Sequence, residues 1–204
     1  MNLKRSAVSA AAMLVVLAAL TACSETTDAA GGDAVRVPTP IYSGEVPSFD
    51  GPWAAEFERA YRSTNSELVH TILRKGSITD QDYASVSAGY EKCMGNKGFR
   101  ARVTGPAGEA VVDGTGDASL AAEKACGDDL AVIAGLRHLI LRNPQRLDEN
   151  AIVAACLVKK KLAPATYTAK DYAADVENQR FPYDIDGAAF SACTSDPLGL
   201  SWDK

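Results

Sequence analysis

From residue 50 onwards, apolar side chains recur at steps of three and four, the period of an amphipathic helix. The pattern predicts one long helix over residues 52–74, with Pro52 in its first turn and Gly76 just past its end. Its inward face would carry Trp53, Phe57, Ala60, Tyr61, Thr64, Leu68 and Ile72. The chain beyond residue 50 is therefore expected to be mainly helical.

A capping sequence marks the start of the second predicted helix. Thr79 and Asp82 fit a capping box, in which each side chain accepts a hydrogen bond from the other residue's backbone N–H. Ile78 and Tyr83 flank the cap and can pack on each other as a hydrophobic staple. The helix is expected to continue to Gly98.

The rest of the chain predicts shorter elements. Residues 99–103 and 109–112 flank the turn sequence Gly-Pro-Ala-Gly and allow a short β-hairpin near residues 99–112. Further helices are expected over residues 119–126, from Asp129 to the residue before Asn143, from Asp148 to the lysines at 159–161, from Thr168, and from about Asp186. The predicted fold is therefore all-α or nearly all-α, with about six helices.

A different apolar run stands at the N-terminus. Residues 7–20 follow Lys4 and Arg5 and lead into Leu20-Thr21-Ala22-Cys23. A basic start, ~14 apolar residues and small residues before a cleavage point describe an export signal, which is too short for a stable membrane span. The last four residues resemble the lipobox of bacterial lipoproteins, whose cysteine receives a diacylglycerol group before cleavage. The resemblance implies a signal peptide over residues 1–22 and a lipid on Cys23.

The signal and the tether divide the chain into three parts. After the signal peptide, the lipidated Cys23 and the Ser-, Thr-, Gly- and Pro-rich residues up to 50 are expected to form a flexible tether. A helical domain held by disulfides would follow over residues 51–204. Lipid on Cys23 would anchor this domain to the cell membrane on the extracytoplasmic side, because more than one acyl chain gives stable attachment.

Net charge restricts the partners. The signal contains two of the 21 basic residues and no acidic residue, so 19 Lys and Arg remain against 26 Asp and Glu, a net charge of −7. Nucleic acids and anionic lipids bind to basic surfaces. We therefore expect no nucleic-acid partner, and membrane attachment through the lipid alone.

Four cysteines remain besides Cys23, namely Cys93, Cys126, Cys156 and Cys193. An even number in an exported chain predicts two disulfides. Of the three possible pairings we favour Cys93 with Cys126 and Cys156 with Cys193, because each pair joins sequence neighbours across one helix-loop-helix unit. A four-cysteine zinc site is the alternative, but steps of 33, 30 and 37 residues leave no closely spaced pair.

The first pair of cysteines lies in a recognisable context. The sequence CMGNKGF from Cys93 to Phe99, followed by AEKAC from Ala122 to Cys126, resembles the C-M-x-x-x-G-[FY] … A-x-x-x-C arrangement of small lipoproteins exported by actinobacteria. Those families are largely uncharacterised, so the resemblance implies an envelope location and a disulfide pattern without a reaction. It covers residues 52–126, whereas Cys156 lacks the Met and Gly that follow Cys93.

Candidates for catalysis are few. The sequence contains no G-x-S-x-G, H-E-x-x-H or phosphate-binding P-loop motif. Glu56 and Glu58, beside Trp53 and Phe57, could supply the acid of a glycan hydrolase, although such residues more often form a solvated helix face. His70 and His138 are each isolated in sequence and are expected to be structural. We expect no cofactor and no metal.

Aromatic and acidic residues near Pro182 form the candidate binding site, which consists of Tyr167, Tyr172, Phe181, Tyr183, Asp184 and Asp186. Core packing accounts for most of these residues, and a groove for a peptide, glycan or cationic ligand is the alternative. We expect a non-enzymatic binding or scaffolding module of the cell envelope, whose partner is an envelope protein, peptide or glycan. A peptidoglycan hydrolase and an inhibitor of such hydrolases remain open as alternatives.

Overall fold

The computed structural model describes residues 41–200; the predicted signal peptide, Cys23 and the last four residues lie outside this range. The described chain contains eight helices and one antiparallel hairpin, which confirms the mainly helical fold. In chain order the elements are α1 (Ala54–Arg62), α2 (Glu67–Leu73), α3 (Asp80–Asn96), β1 (Arg100–Val103), β2 (Ala110–Asp113), α4 (Asp117–Cys126), α5 (Asp128–Arg142), α6 (Glu149–Lys159), α7 (Ala169–Asn178) and α8 (Ala188–Ser195). Within residues 41–200, no helix combines the length and the apolar character that a bilayer span requires.

The helix predicted over residues 52–74 is in fact two helices, α1 and α2. At the break, the hydroxyl of Thr64 accepts a hydrogen bond from the backbone N–H of Ser66 at 3.0 Å. The Ser66 side chain in turn caps α2 by accepting from the N–H of Val69 at 3.4 Å. These side-chain bonds compete with a continuous helical ladder. The apolar period runs across the break, which is why the pattern predicted a single helix.

The capping box predicted at Thr79 forms, and Thr168 begins α7 with a second one. At the start of α3, the backbone N–H of Thr79 donates to Asp82 Oδ2 at 3.0 Å and the N–H of Asp82 donates to Thr79 Oγ1 at 3.2 Å. Thr168 and Asp171 make the same pair of bonds at 2.8 and 3.3 Å at the start of α7. The buried Asp82 also accepts a hydrogen bond from Lys75 Nζ at 2.5 Å, so the first cap ties the preceding loop to α3.

The hairpin near residues 99–112 is also confirmed. Strands β1 and β2 are antiparallel, with Val103 opposite Ala110. Glu91 on α3 accepts a hydrogen bond from the Val103 N–H at 2.8 Å, which fastens the hairpin to that helix. Gly108 has a φ of 90° and lies so close to α5 that a Cβ would be 3.0 Å from the Cβ of Ala134. Glycine therefore allows both the turn and the contact.

The described chain has two apolar cores. The first lies among α1–α5 and the hairpin, and its least exposed members are Tyr61, Val69, Leu73, Val86, Met94, Ile133 and Ala134. The second lies among α6, α7 and α8, and contains Ile152, Val153, Ala154, Cys156, Leu157, Ala163, Tyr172 and Cys193. The two clusters share no residue, so the contacts between the two cores come from side chains outside these clusters.

Packing begins before the predicted boundary at residue 51. The ring of Tyr42 makes edge-on contacts with Tyr61 and His70, with ring centroids 5.4 and 4.6 Å apart. Phe49 packs on Phe57 at 5.5 Å. Residues 41–49 thus cover part of the first core, although the sequence predicts a tether that extends to residue 50. The aromatic residues of this segment are isolated and do not recur at helical or strand spacing, so the sequence does not indicate that they pack.

Polar side chains join the two cores. Arg142, at the end of α5, is buried, and its Nη2 donates to the carbonyl oxygen of Thr194 in α8 at 2.6 Å. The same guanidinium forms a salt bridge with Glu149 at the start of α6, with an N–O distance of 2.5 Å. Nearby, the indole N–H of Trp53 donates to the carbonyl oxygen of Asn143 at 3.0 Å. The arrangement of the two cores thus depends on directional hydrogen bonds.

One disulfide crosses each core, in the predicted pairing. Cys93 on α3 is bonded to Cys126 at the end of α4, with Cα atoms 5.7 Å apart. Cys156 on α6 is bonded to Cys193 on α8, with Cα atoms 5.5 Å apart. Each bond therefore joins cysteines that are more than 30 residues apart in the chain.

Replacing both Cys93 and Cys126 with Ser is expected to lower the free energy of unfolding by about 4 kcal/mol, because the unfolded chain regains the entropy of a closed loop of 33 residues. Urea denaturation followed by circular dichroism measures the change. An unchanged denaturation midpoint in the double variant would contradict the prediction.

Acid should destabilise the protein partly through Asp82. Burial raises the pKa of this carboxyl, but hydrogen bonds from Lys75 and Thr79, together with the charge of Lys75, outweigh burial and lower the pKa below its ordinary value. A carboxyl with a lowered pKa stabilises the folded state above its unfolded pKa of about 3.9, and this contribution is lost as the pH falls through the folded pKa. Unfolding free energies measured from about pH 6 to pH 2 should fall less steeply below pH 4 for Asp82→Asn than for the parent protein.

The matched control is Asp113→Asn, which changes an exposed carboxyl on β2. This variant should keep the pH dependence of the parent. If Asp82→Asn also kept it, the capping carboxyl would not contribute to the acid sensitivity.

Candidate functional site

A surface cleft of about 340 Å³ lies beside the Cys93–Cys126 disulfide. Its walls come from α2, α3 and the junction between α4 and α5. The volume falls at the lower end of the roughly 300–1,000 Å³ range of small-molecule sites in proteins. The cleft is therefore large enough to hold a single side chain or a small ligand.

Helix α3 supplies one wall through residues that share a helical face. Val86, Gly89, Tyr90 and Cys93 follow each other at steps of three, one and three, so all four positions lie on the same side of the helix. Val86 and Tyr90 are buried and form an apolar floor with the disulfide. A Cβ added at Gly89 would meet no atom within 4 Å, so the wall is open at this position.

The opposite wall is made where α4 turns directly into α5. Gly127 ends the first helix and starts the second, and a Cβ there would lie 2.9 Å from the carbonyl oxygen of Glu123. Glycine thus permits the tight junction. Asp128 and Asp129 fall in the first turn of α5, where negative charge interacts favourably with the helix dipole, and both line the cleft.

The polar groups of the cleft are acidic or neutral. Asp129 accepts a hydrogen bond from the hydroxyl of Ser66 at 2.9 Å through one oxygen. Asp128 is exposed, and within residues 41–200 its carboxylate has no hydrogen bond or ion pair. Burial, followed by the nearby charge of Glu123, raises the pKa of the Tyr90 phenol. The cleft is therefore apolar at its floor and negatively charged at one side.

Three of the six residues in the predicted binding site meet in the structure. The Tyr167 ring lies 5.9 Å from that of Tyr183, and the Tyr183 ring lies 5.9 Å from that of Phe181. Phe190 completes the cluster. The hydroxyl of Tyr167 donates to Asp175 at 2.5 Å, and burial together with this hydrogen bond raises the pKa of Tyr167 strongly. The cluster packs along the edge of the second core.

The other three predicted residues take different places. Tyr172 is 9% exposed and belongs to the second core. Asp184 and Asp186 are exposed in the loop before α8, where Asp184 Oδ1 accepts a hydrogen bond from the N–H of Asp186 at 2.9 Å. Asp184 thus shapes the turn, and the ring cluster stands as a packing arrangement with one exposed side.

The two candidate glycan-hydrolase acids are engaged in ion pairs. Glu56 is 9% exposed, and its Oε1 accepts hydrogen bonds from Arg59 at 2.8 Å and from Arg146 Nε at 2.7 Å. Glu58 is exposed and pairs with Arg62 at 2.9 Å. Glycoside hydrolysis needs a protonated carboxyl that faces the substrate. Glu56 instead neutralises two guanidinium groups, which makes it a joint between α1 and the α5–α6 loop.

His70 is structural, as expected. The side chain is 1% exposed and stacks on Tyr61 with ring centroids 3.9 Å apart. Its Nε2 lies 3.0 Å from the carbonyl oxygens of both Tyr61 and Thr64, so this nitrogen carries a proton and donates. His138 is half-buried, and burial together with the charge of Arg142 lowers its pKa.

Sequence reasoning did not find the cleft. The apolar period predicts Leu68 on the inward face of its helix, but 42% of Leu68 is exposed at the rim of the cleft. One feature of the sequence could have indicated it. Gly89 interrupts an apolar helical face one turn before a cysteine, and a glycine at that position leaves a gap in the helix surface. The distance between α3 and the start of α5 could not be obtained from the local pattern.

Comparison with known proteins adds no further constraint, because no family model, curated protein or solved structure matches the chain. Among residues 41–200, no three His, Cys, Asp or Glu side chains are placed together as a metal-ligand set. The candidate site therefore rests on its own geometry.

Burial distinguishes Glu56 from Glu58 and leads to a test. Glu56→Gln is expected to lower the free energy of unfolding by about 1.5 kcal/mol, because the two half-exposed arginines Arg59 and Arg146 lose the counter-charge of a buried carboxylate that they share. Glu58→Gln should change it by less than about 0.5 kcal/mol, since exposed ion pairs contribute little. Equal effects of the two variants in urea denaturation would contradict a structural role for Glu56.

Proposed function

We propose that this chain is a lipid-anchored protein of the bacterial cell envelope, attached to the cell membrane by acyl chains on Cys23. Its helical domain faces the extracytoplasmic side and acts as a binding or scaffolding module. The observation that carries the proposal is the sequence Leu20-Thr21-Ala22-Cys23 at the end of a basic and then apolar N-terminal segment.

The described domain supports an extracytoplasmic location. Both disulfides are of the kind that persists outside the reducing cytoplasm. Each one links helices that pack in the same region of the fold, and it removes conformational freedom from the unfolded chain. The net charge of −7 after removal of residues 1–22 favours attachment by lipid over attachment by a basic surface.

The cleft beside Cys93 and Cys126 supports a binding role. It combines an apolar floor with a few polar groups, which is the usual make-up of a recognition site. The ion pairs of Glu56 argue against the hydrolase that the sequence left open, because this carboxylate already serves two arginines. The partner is accordingly sought among the proteins, peptides and glycans of the envelope.

Metabolic labelling tests the anchor. Cells that express the full chain are grown with radiolabelled palmitate, and we expect label in the mature protein in the membrane fraction. Cys23→Ser should abolish labelling and leave the signal peptide uncleaved, because the lipid-bearing thiol is missing.

The matched control is Ser24→Ala, which alters the neighbouring position and leaves the thiol in place. This variant should be labelled and processed like the parent chain. The proposal would be overturned if the signal peptide of Cys23→Ser were cleaved at the same site and to the same extent as that of the parent, and if neither protein contained labelled palmitate.

A further inference from the structure

The cleft beside the Cys93–Cys126 disulfide has two contrasting surfaces. Val86, the ring of Tyr90 and the disulfide form an apolar floor, and Leu68 extends it to the rim. Such a surface binds hydrocarbon groups, because their contact with water is removed. The ligand that matches the floor therefore has an aliphatic portion.

The acidic side of the cleft favours a positive charge at the end of that aliphatic portion. Asp128 is without a hydrogen bond or ion pair within the described chain, and Asp129 uses one oxygen to accept from Ser66. None of the salt bridges among residues 41–200 joins a lysine or an arginine to Asp128 or Asp129. A cation that enters the cleft would meet both charges next to a buried apolar floor, where electrostatic attraction is less screened than at an open surface.

The negative field extends to the floor. The charge of Glu123 acts on the Tyr90 phenol in the same direction as burial, which identifies a third carboxylate close to the cleft. Glu123 is itself held by a hydrogen bond from Ser119 at 2.9 Å. The phenol remains neutral and can donate to or accept from a ligand.

The walls leave room for a main chain. Gly89 has no atom within 4 Å of the position of a Cβ, and Ala125 on the opposite wall has the smallest side chain that carries one. Small residues allow a ligand backbone to approach closely. An extended peptide can therefore lie across the mouth while one of its side chains enters the cleft.

We propose that this cleft binds a peptide through a lysine-type side chain, with the aliphatic stem on the apolar floor and the ammonium group between Asp128 and Asp129. This inference rests on the proposed binding role of the domain and specifies its ligand. The assignment follows from the match between a linear apolar stem with a terminal cation and a cleft of about 340 Å³ with an apolar floor and an acidic side.

Titration calorimetry with the full mature lipoprotein in detergent tests the ligand. The probes are the capped tripeptide Ala-Lys-Ala and the same peptide with norleucine, acetyl-lysine or glutamate at the central position. We expect the lysine peptide to bind at least about fivefold more tightly than the norleucine and acetyl-lysine peptides, and the glutamate peptide to bind least. Cadaverine alone should bind more weakly than the lysine peptide, because it lacks the main chain.

Two pairs of variants locate the binding. The double variant Asp128→Asn and Asp129→Asn should bind the lysine peptide about fivefold more weakly than the parent does, and its affinity for the norleucine peptide should be unchanged. Asp113→Asn should change neither affinity. Gly89→Leu should abolish binding by filling the cleft. Its control, Gly95→Leu, lies on the same helix, also has no atom within 4 Å of the added Cβ, and is outside the cleft lining.

Both leucine variants should unfold at or above the parent's denaturation midpoint, since leucine favours helix more than glycine does. The proposal would be overturned if the lysine and norleucine peptides bound with equal affinity, or if cadaverine bound as tightly as the lysine peptide. It would also be overturned if Gly89→Leu bound the lysine peptide with the affinity of the parent. A chain that is labelled with palmitate but fails to bind the lysine peptide would refute this inference and leave the lipid-anchored location intact.

Discussion

The guanidinium of Arg142 is the interaction on which the arrangement of the described chain depends. It lies at the end of α5, where positive charge complements the helix dipole, and it reaches out of the first core into the second. There it pairs with Glu149 and donates to the carbonyl oxygen of Thr194, one of the last carbonyls of α8 that have no helical partner. Burying a charge is favourable only with such partners, so α6 and α8 must both be in place.

The same constraint explains why each core has its own disulfide. The second core, built from three short helices, has fewer buried apolar residues than the first, and polar bonds hold the two together. The Cys156–Cys193 bond keeps α6 and α8 together, so that Glu149 and Thr194 are presented to Arg142 as a unit. Around this contact, Trp53 and Glu56 bring α1 to the loop after α5. The joint is thus a polar network between two apolar clusters.

The disulfide of the first core has a structural and a functional consequence. By fixing the end of α4 against α3, it sets the point at which Gly127 turns the chain into α5. The carboxylates of that first turn consequently stand at the edge of a gap whose floor is formed by Tyr90 and the disulfide. The proposed ligand site would therefore be lost together with the covalent link.

Local chemistry determined much of this protein from sequence alone. The capping boxes at Thr79 and Thr168 and the hairpin depend on residues that are near each other in the chain, and each disulfide joins two cysteines that follow one another in sequence. Tertiary structure decided the rest. The helix breaks at residues 63–66, although the apolar period of the sequence continues across them. Glu56 pairs with Arg146, which lies ninety residues away in the chain. The cleft exists because of the spacing between α3 and α5. Periodicity shows which face of a helix turns inward, but it carries no information about the neighbour that the face meets or the space left between them.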